Sequence, residues 1–130
     1  MQVSGTRSSR KVRSALLAVT AVGASASAVF AVVGLVRPGY VQPGSSVSPL
    51  AKFWAASSAG RTWVITGLLL VGIAREGRPA PQLLVTAGIV QLMDAGLGVW
   101  QRNPPMAVVP AAMGLVHLAA ARVLTTPSDG

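Results

Sequence analysis

The chain reads as an all-α polytopic membrane protein, an antiparallel bundle of four transmembrane helices. Three observations predict this. Of the 130 residues, 52% are hydrophobic and only 11% charged, against roughly 25% charged in an ordinary soluble domain. The apolar residues gather into four runs, each near the ~20 residues that cross the hydrocarbon layer as a helix. The basic residues, which bring the net charge to +8, lie at the N-terminus and mostly between those runs, as membrane topology requires. A chain of this length builds one small domain rather than two with separate cores.

Residues Met1 to Arg13 carry Arg7, Arg10, Lys11 and Arg13. They read as a basic, disordered cytoplasmic tail that lies against anionic headgroups. The first span is Ser14 to Val36. Ala24-Ser25-Ala26-Ser27-Ala28 also resembles the small-residue region of a cleavable signal peptide. The apolar run continues through Val29-Phe30-Ala31-Val32-Val33, however, which favours an uncleaved helix. Gly23, Ser27 and Ala31 recur every fourth residue and offer a small-residue face for close helix packing.

Arg37-Pro38-Gly39-Tyr40 ends that helix, and a loop rich in Pro, Gly and Ser leads to the second span, Leu50 to Ala74. The charged turn Arg75-Glu76-Gly77-Arg78-Pro79 precedes the third span, Ala80 to Trp100. Gln101-Arg102-Asn103-Pro104-Pro105 forms the next turn, and the fourth span runs from Met106 to Leu124. Pro110, one turn inside it, predicts a kink. Residues 125–130 form a short cytoplasmic tail. Short second and third connections imply antiparallel neighbours.

Counting Lys and Arg orients the bundle. With the N-terminus inside, the cytoplasmic side holds Arg7, Arg10, Lys11, Arg13, Arg75, Arg78 and Arg122, and the outer side holds Arg37, Lys52 and Arg102. That asymmetry places both termini in the cytoplasm of a cell inner membrane. Trp54 and Trp100 suit the outer interfacial belt. Few aromatic residues interleave with the basic ones, so a nucleic-acid partner is not expected. The partner that the composition names is the lipid bilayer, and a homo-oligomer is left open. With no cysteine, disulfides, thiolate metal sites and Cys nucleophiles are excluded.

The spans are not uniformly apolar. Arg61 lies near the middle of the second, where a charge costs roughly 2.5–3.5 kcal/mol or more on insertion scales. Asp94 is the carboxylate inside the third span, and His117 lies in the fourth. Depths counted at ~1.5 Å per residue from the outer ends overlap for the three. A guanidinium and a carboxylate can share two parallel hydrogen bonds, which removes two isolated charges at once. Gln91 is three residues before Asp94, on the same helical face and level with His117 by this count. Ser57 and Ser58 lie four and three residues before Arg61. Ser25, Ser27, Thr62, Thr66 and Thr86 read singly as structural hydroxyls.

Intramembrane ionisable residues are functional candidates by default. In the first reading Asp94, His117 and Arg61 are catalytic. Asp94 is general base or acid, His117 moves a proton near neutral pH, and Arg61 stabilises an oxyanion or orients Asp94. Gln91 and Ser58 then bind ligand. The substrate class is a lipophilic small molecule, and the chemistry isomerisation, epoxide opening or cyclisation. In the second reading the protein is a non-catalytic membrane subunit or assembly protein whose polar residues join helices within or between chains. Proton or ion movement fits less well, because four short helices leave little room for alternating access. No Gly-rich phosphate loop or nucleophile elbow is present, and one His with one Asp is thin for a metal. No metal and no cofactor are expected.

The first span ending at Arg37-Pro38, Gly60-Arg61 with Gly67 in the second helix, Asp94 in the third and His117 in the fourth form a pattern along nearly the whole chain. It resembles the DoxX-like group of small four-helix membrane proteins. The Lys-rich ends of some members have no counterpart here. What the resemblance implies is the architecture, more than an activity.

Overall fold

The computed structural model describes residues 4–37, 39, 48–76 and 79–125. The loop expected after Arg37 (residues 38 and 40–47), Gly77-Arg78 of the second turn, and the tail beyond Thr125 lie outside the described residues. Four helices account for nearly all of the rest: α1 (Ser4–Val36), α2 (Pro49–Glu76), α3 (Pro81–Trp100) and α4 (Pro104–Thr125). Each is long and apolar enough to cross a membrane, and no strand occurs among the described residues. The protein is a multi-pass four-helix membrane bundle.

Two boundaries differ from the sequence reading, each for a local reason. The basic segment from Ser4 to Arg13 is not a disordered tail but the first turns of α1. No Pro and, after Gly5, no Gly interrupts it, and Arg and Lys are good helix formers. Pro104 and Pro105 belong to α4 rather than to the turn before it. A first helical turn has no use for their missing N–H groups, and Asn103 caps it by accepting from the Met106 N–H at 3.3 Å. Ser48 caps α2 in the same way, accepting from the Ala51 N–H at 3.1 Å.

The turn between α3 and α4 is three residues long. The Asn103 N–H reaches back to the Gly98 carbonyl at 2.9 Å, closing a Schellman-type loop that puts the preceding residue in the left-handed region. That residue is Arg102, at φ 53°. So tight a turn folds α4 directly back on α3, and these two helices pack most closely. The α1–α2 contact is next and α1–α4 third, while α2 and α3 approach each other least. Among the described residues no backbone contact joins the diagonal pairs, so the helices stand in a square.

Close packing follows the small residues. On α1 the buried positions are Thr20, Ala24 and Ala28. Gly23, Ser27 and Ala31, expected to form the packed face, are half-buried beside them. Leu16, Leu69, Leu84 and Leu124 gather with Ala24, Ala87, Ala120 and Ala121 into one apolar core. This core lies in the half of the bundle nearest the chain termini. No more than 28% of any span's apolar stretch is buried, so most apolar side chains face outward, as lipid contact allows.

Candidate functional site

Arg61 and Asp94 meet. Arg61 Nη2 donates to Asp94 Oδ1 at 3.1 Å, linking α2 to α3. The contact is a single hydrogen bond rather than a two-pronged fork. It spans the seam where the two helices pack least, and the side chains remain 43% and 29% exposed. In register with Asp94, Arg61 lies ~9 Å along the bundle from Trp100, at 1.5 Å per residue. Counting from Leu50 puts it deeper because α2 overhangs the end of α3.

His117 is elsewhere. Gly23 packs on Met113, and Gly88 on Gly114, while the Thr66 hydroxyl donates to the Ala24 carbonyl at 3.2 Å. This antiparallel register sets His117 level with Thr20 and Val85. It is about nine residues, or ~14 Å, nearer the terminal end than Asp94. His117 is 1% exposed and Thr20 fully buried. Neither imidazole nitrogen of His117 and not the Thr20 hydroxyl has a hydrogen-bond partner. A buried polar atom without a partner costs on the order of 1–3 kcal/mol, so His117 and Thr20 form a second polar locus inside the apolar half.

The remaining candidates divide between these loci. Gln91 turns inward, and its Nε2 donates to the Ser27 hydroxyl on α1 at 3.3 Å. This bond crosses the diagonal of the square, one turn from the ion pair. Ser58 is exposed on α2, one turn towards the far end from Arg61. Ser25 and Thr86 donate to carbonyls four residues back, Ala21 at 2.8 Å and Gln82 at 2.9 Å, as structural hydroxyls do.

Thr20 was not singled out by sequence reasoning, and Ser27 was read as a packing and structural residue rather than as the partner of Gln91. A signal did exist for Thr20, since Thr20, Ala24 and Ala28 recur every fourth residue. That stripe, rather than its neighbour, holds the fully buried positions. A guanidinium–carboxylate pair in an open seam can bind a polar headgroup or hold two helices together. A buried imidazole and hydroxyl can hydrogen-bond one small polar molecule.

In comparison with known proteins, no family model matches the chain, and no curated protein and no solved structure is significantly similar to it.

Proposed function

We propose that this protein is a small non-catalytic membrane subunit whose in-span charges join helices, within the chain and between chains. The observation that carries the reading is the Arg61–Asp94 hydrogen bond across the seam between the two least-packed helices. Helix association inside a bilayer gains little from the hydrophobic effect, because lipid tails are as apolar as Leu. A polar link therefore matters most where packing is sparse. Separation of His117 from the pair by ~14 Å along the bundle also argues against one three-residue catalytic pocket. The charge pattern supports both termini in the cytoplasm of an inner membrane. Arg10, Lys11, Arg13, Arg75 and Arg122 lie towards one end of the bundle, and Arg37, Lys52 and Arg102 towards the other. Kinship with the DoxX-like group rests on the four-span order and the positions of Gly60-Arg61, Asp94 and His117.

Acid/base chemistry on a lipophilic small molecule is the second reading. It is favoured by the unpartnered nitrogens of His117 and by the opening of the Arg61–Asp94 seam to the lipid side.

A charge swap separates the two. Arg61→Asp and Asp94→Arg should each lower membrane abundance and thermal stability, and the double variant should recover both. A catalytic Asp94 predicts instead that Asp94→Asn abolishes turnover of a lipophilic substrate while the fold stays intact. Recovery of neither abundance nor stability in the swapped variant overturns the structural reading. Orientation is tested by single cysteines at Ser46 and Ser128 in this cysteine-free chain. Labelling Ser128→Cys from outside intact cells would reverse it.

A further inference from the structure

We propose that the α2–α3 seam is the interface of a two-fold homodimer, in which Arg61 and Asp94 of one copy also pair with Asp94 and Arg61 of the other. The proposal deepens the reading of the ion pair as a helix join and rests on it. It starts from an imbalance. A guanidinium carries five N–H donors and a carboxylate two acceptor oxygens, yet the pair makes one hydrogen bond and leaves Arg61 43% exposed. That surface lies within the apolar length of the bundle, where lipid tails give a charge no partner.

The surroundings of the pair are built for a helix to approach. Ser57, Gly60, Val64, Gly67 and Val71 recur along α2 at alternating intervals of three and four residues, and all are exposed. This is the period of a helix–helix seam. A Cβ added to Gly60 or Gly67 would meet nothing within 4 Å in its own chain. Packing within the chain therefore does not account for two mid-helix glycines, each of which weakens a helix relative to Ala. Small residues at these positions let a second backbone come close. Arg61 flanks the stripe at the position where paired helices place interchain charges. On the α3 side, Met93 and Leu97, 63% and 46% exposed, border Asp94.

Charge decides the occupant. The face presents one cation and one anion at the same depth, so it is neutral and complementary to itself. A two-fold axis along the membrane normal keeps both copies in the same topology and brings all four groups to one level. The result is a closed ring of alternating charges, an isologous contact. A partner of either single sign would leave one of the two groups unmatched.

The experiment uses the full cysteine-free chain in membranes. Because the two-fold sets α2 of one copy against α3 of the other, differently tagged single-cysteine chains are co-expressed and oxidised. The pairs are Ser57→Cys with Leu97→Cys, and Gly60→Cys or Val64→Cys with Met93→Cys, with Val29→Cys and Met93→Cys as the control. Val29 is 63% exposed and level with Arg61 by register, but on α1. The expected result is a shift from monomer to disulfide-linked mixed dimer for the three α2–α3 pairs and none for the control. No shift for any of the three, as lipid coverage gives, overturns the proposal. So does an equal shift for the control, or an adduct whose mass is not that of the two tagged chains together. A second arm co-expresses differently tagged Arg61→Ala and Asp94→Ala chains. Each has lost its own pair, and only the mixed dimer restores one across the interface, so mixed dimers should be recovered in preference to self-dimers. Equal recovery overturns the reciprocal pairing. If the charge swap recovers stability within the chain while cross-linking fails, the dimer falls and the helix join stands. If the swap also fails, both fall.

Discussion

Gly98, in the last turn of α3, lies against the Met106–Ala107 peptide in the first turn of α4. A Cβ at position 98 would come within 2.5 Å of the Ala107 nitrogen. The obstacle is backbone, not a side chain that can swing away. Pro110 contributes here, because it has no N–H to return to the Met106 carbonyl four residues earlier, and Gly98 packs beside that carbonyl. The short turn, the left-handed Arg102 and the glycine together close the α3–α4 hairpin.

Gly98→Ala should therefore destabilise the protein by about 1–3 kcal/mol, the usual cost of overpacking. Gly96, two residues earlier, meets nothing within 4 Å, and Gly96→Ala should be neutral or stabilising by about 0.4–1 kcal/mol. Thermal unfolding of both variants in the same detergent checks the contrast. Equal gains would mean that helix propensity, not the close approach, governs the site.

The turn itself carries an opposed pair of expectations. Asn103→Ala removes the cap of α4 and should cost ~1 kcal/mol. Arg102→Gly relieves a left-handed residue and should stabilise by about 1 kcal/mol, measured by the same unfolding assay. A loss of stability in Arg102→Gly would show that the Arg side chain contributes more than its backbone strain costs.

Breaking the Arg61–Asp94 pair from one side should cost more than removing it whole. Arg61→Ala or Asp94→Ala leaves a charge with no partner, at about 1.5–3 kcal/mol for a hydrogen bond to a charged group. Arg61→Met combined with Asp94→Leu should lie close to the wild type, because two desolvated charges disappear together. A double-mutant cycle of the wild type, Arg61→Met, Asp94→Leu and the double variant gives the coupling directly, and a value near zero would remove the pair from any role in holding α2 to α3.

His117 and Thr20 make the opposite prediction. Their buried polar atoms lack partners, so His117→Leu with Thr20→Val should leave stability unchanged or raised by about 1 kcal/mol or more. A marked loss of stability would mean that a small polar molecule bridges these groups in the membrane. A stable variant that lost turnover of a lipophilic substrate would favour the acid/base reading.

Much of the architecture was legible in the residues alone. The four spans, their antiparallel order and the Arg61–Asp94 contact follow from hydropathy and from the cost of isolated charge, and both act locally along a helix. Two helix starts were misjudged where local chemistry has two readings. A basic segment can be a tail or a helical extension, and a Pro-Pro pair can end one helix or begin the next.

Register was not legible, because it depends on which small residues let backbones approach. Counting from helix ends put Gln91, Asp94, Arg61 and His117 at overlapping depths. The Gly23–Met113 and Gly88–Gly114 approaches slide α4 so that His117 falls about nine residues from Asp94. The sequence by itself determined a four-span membrane protein with an arginine that needs a carboxylate. Only tertiary packing decided that the pair stands at an open seam while the histidine is shut inside with Thr20. Hydropathy is a property of each segment, whereas depth, partner and exposure belong to the contacts between segments.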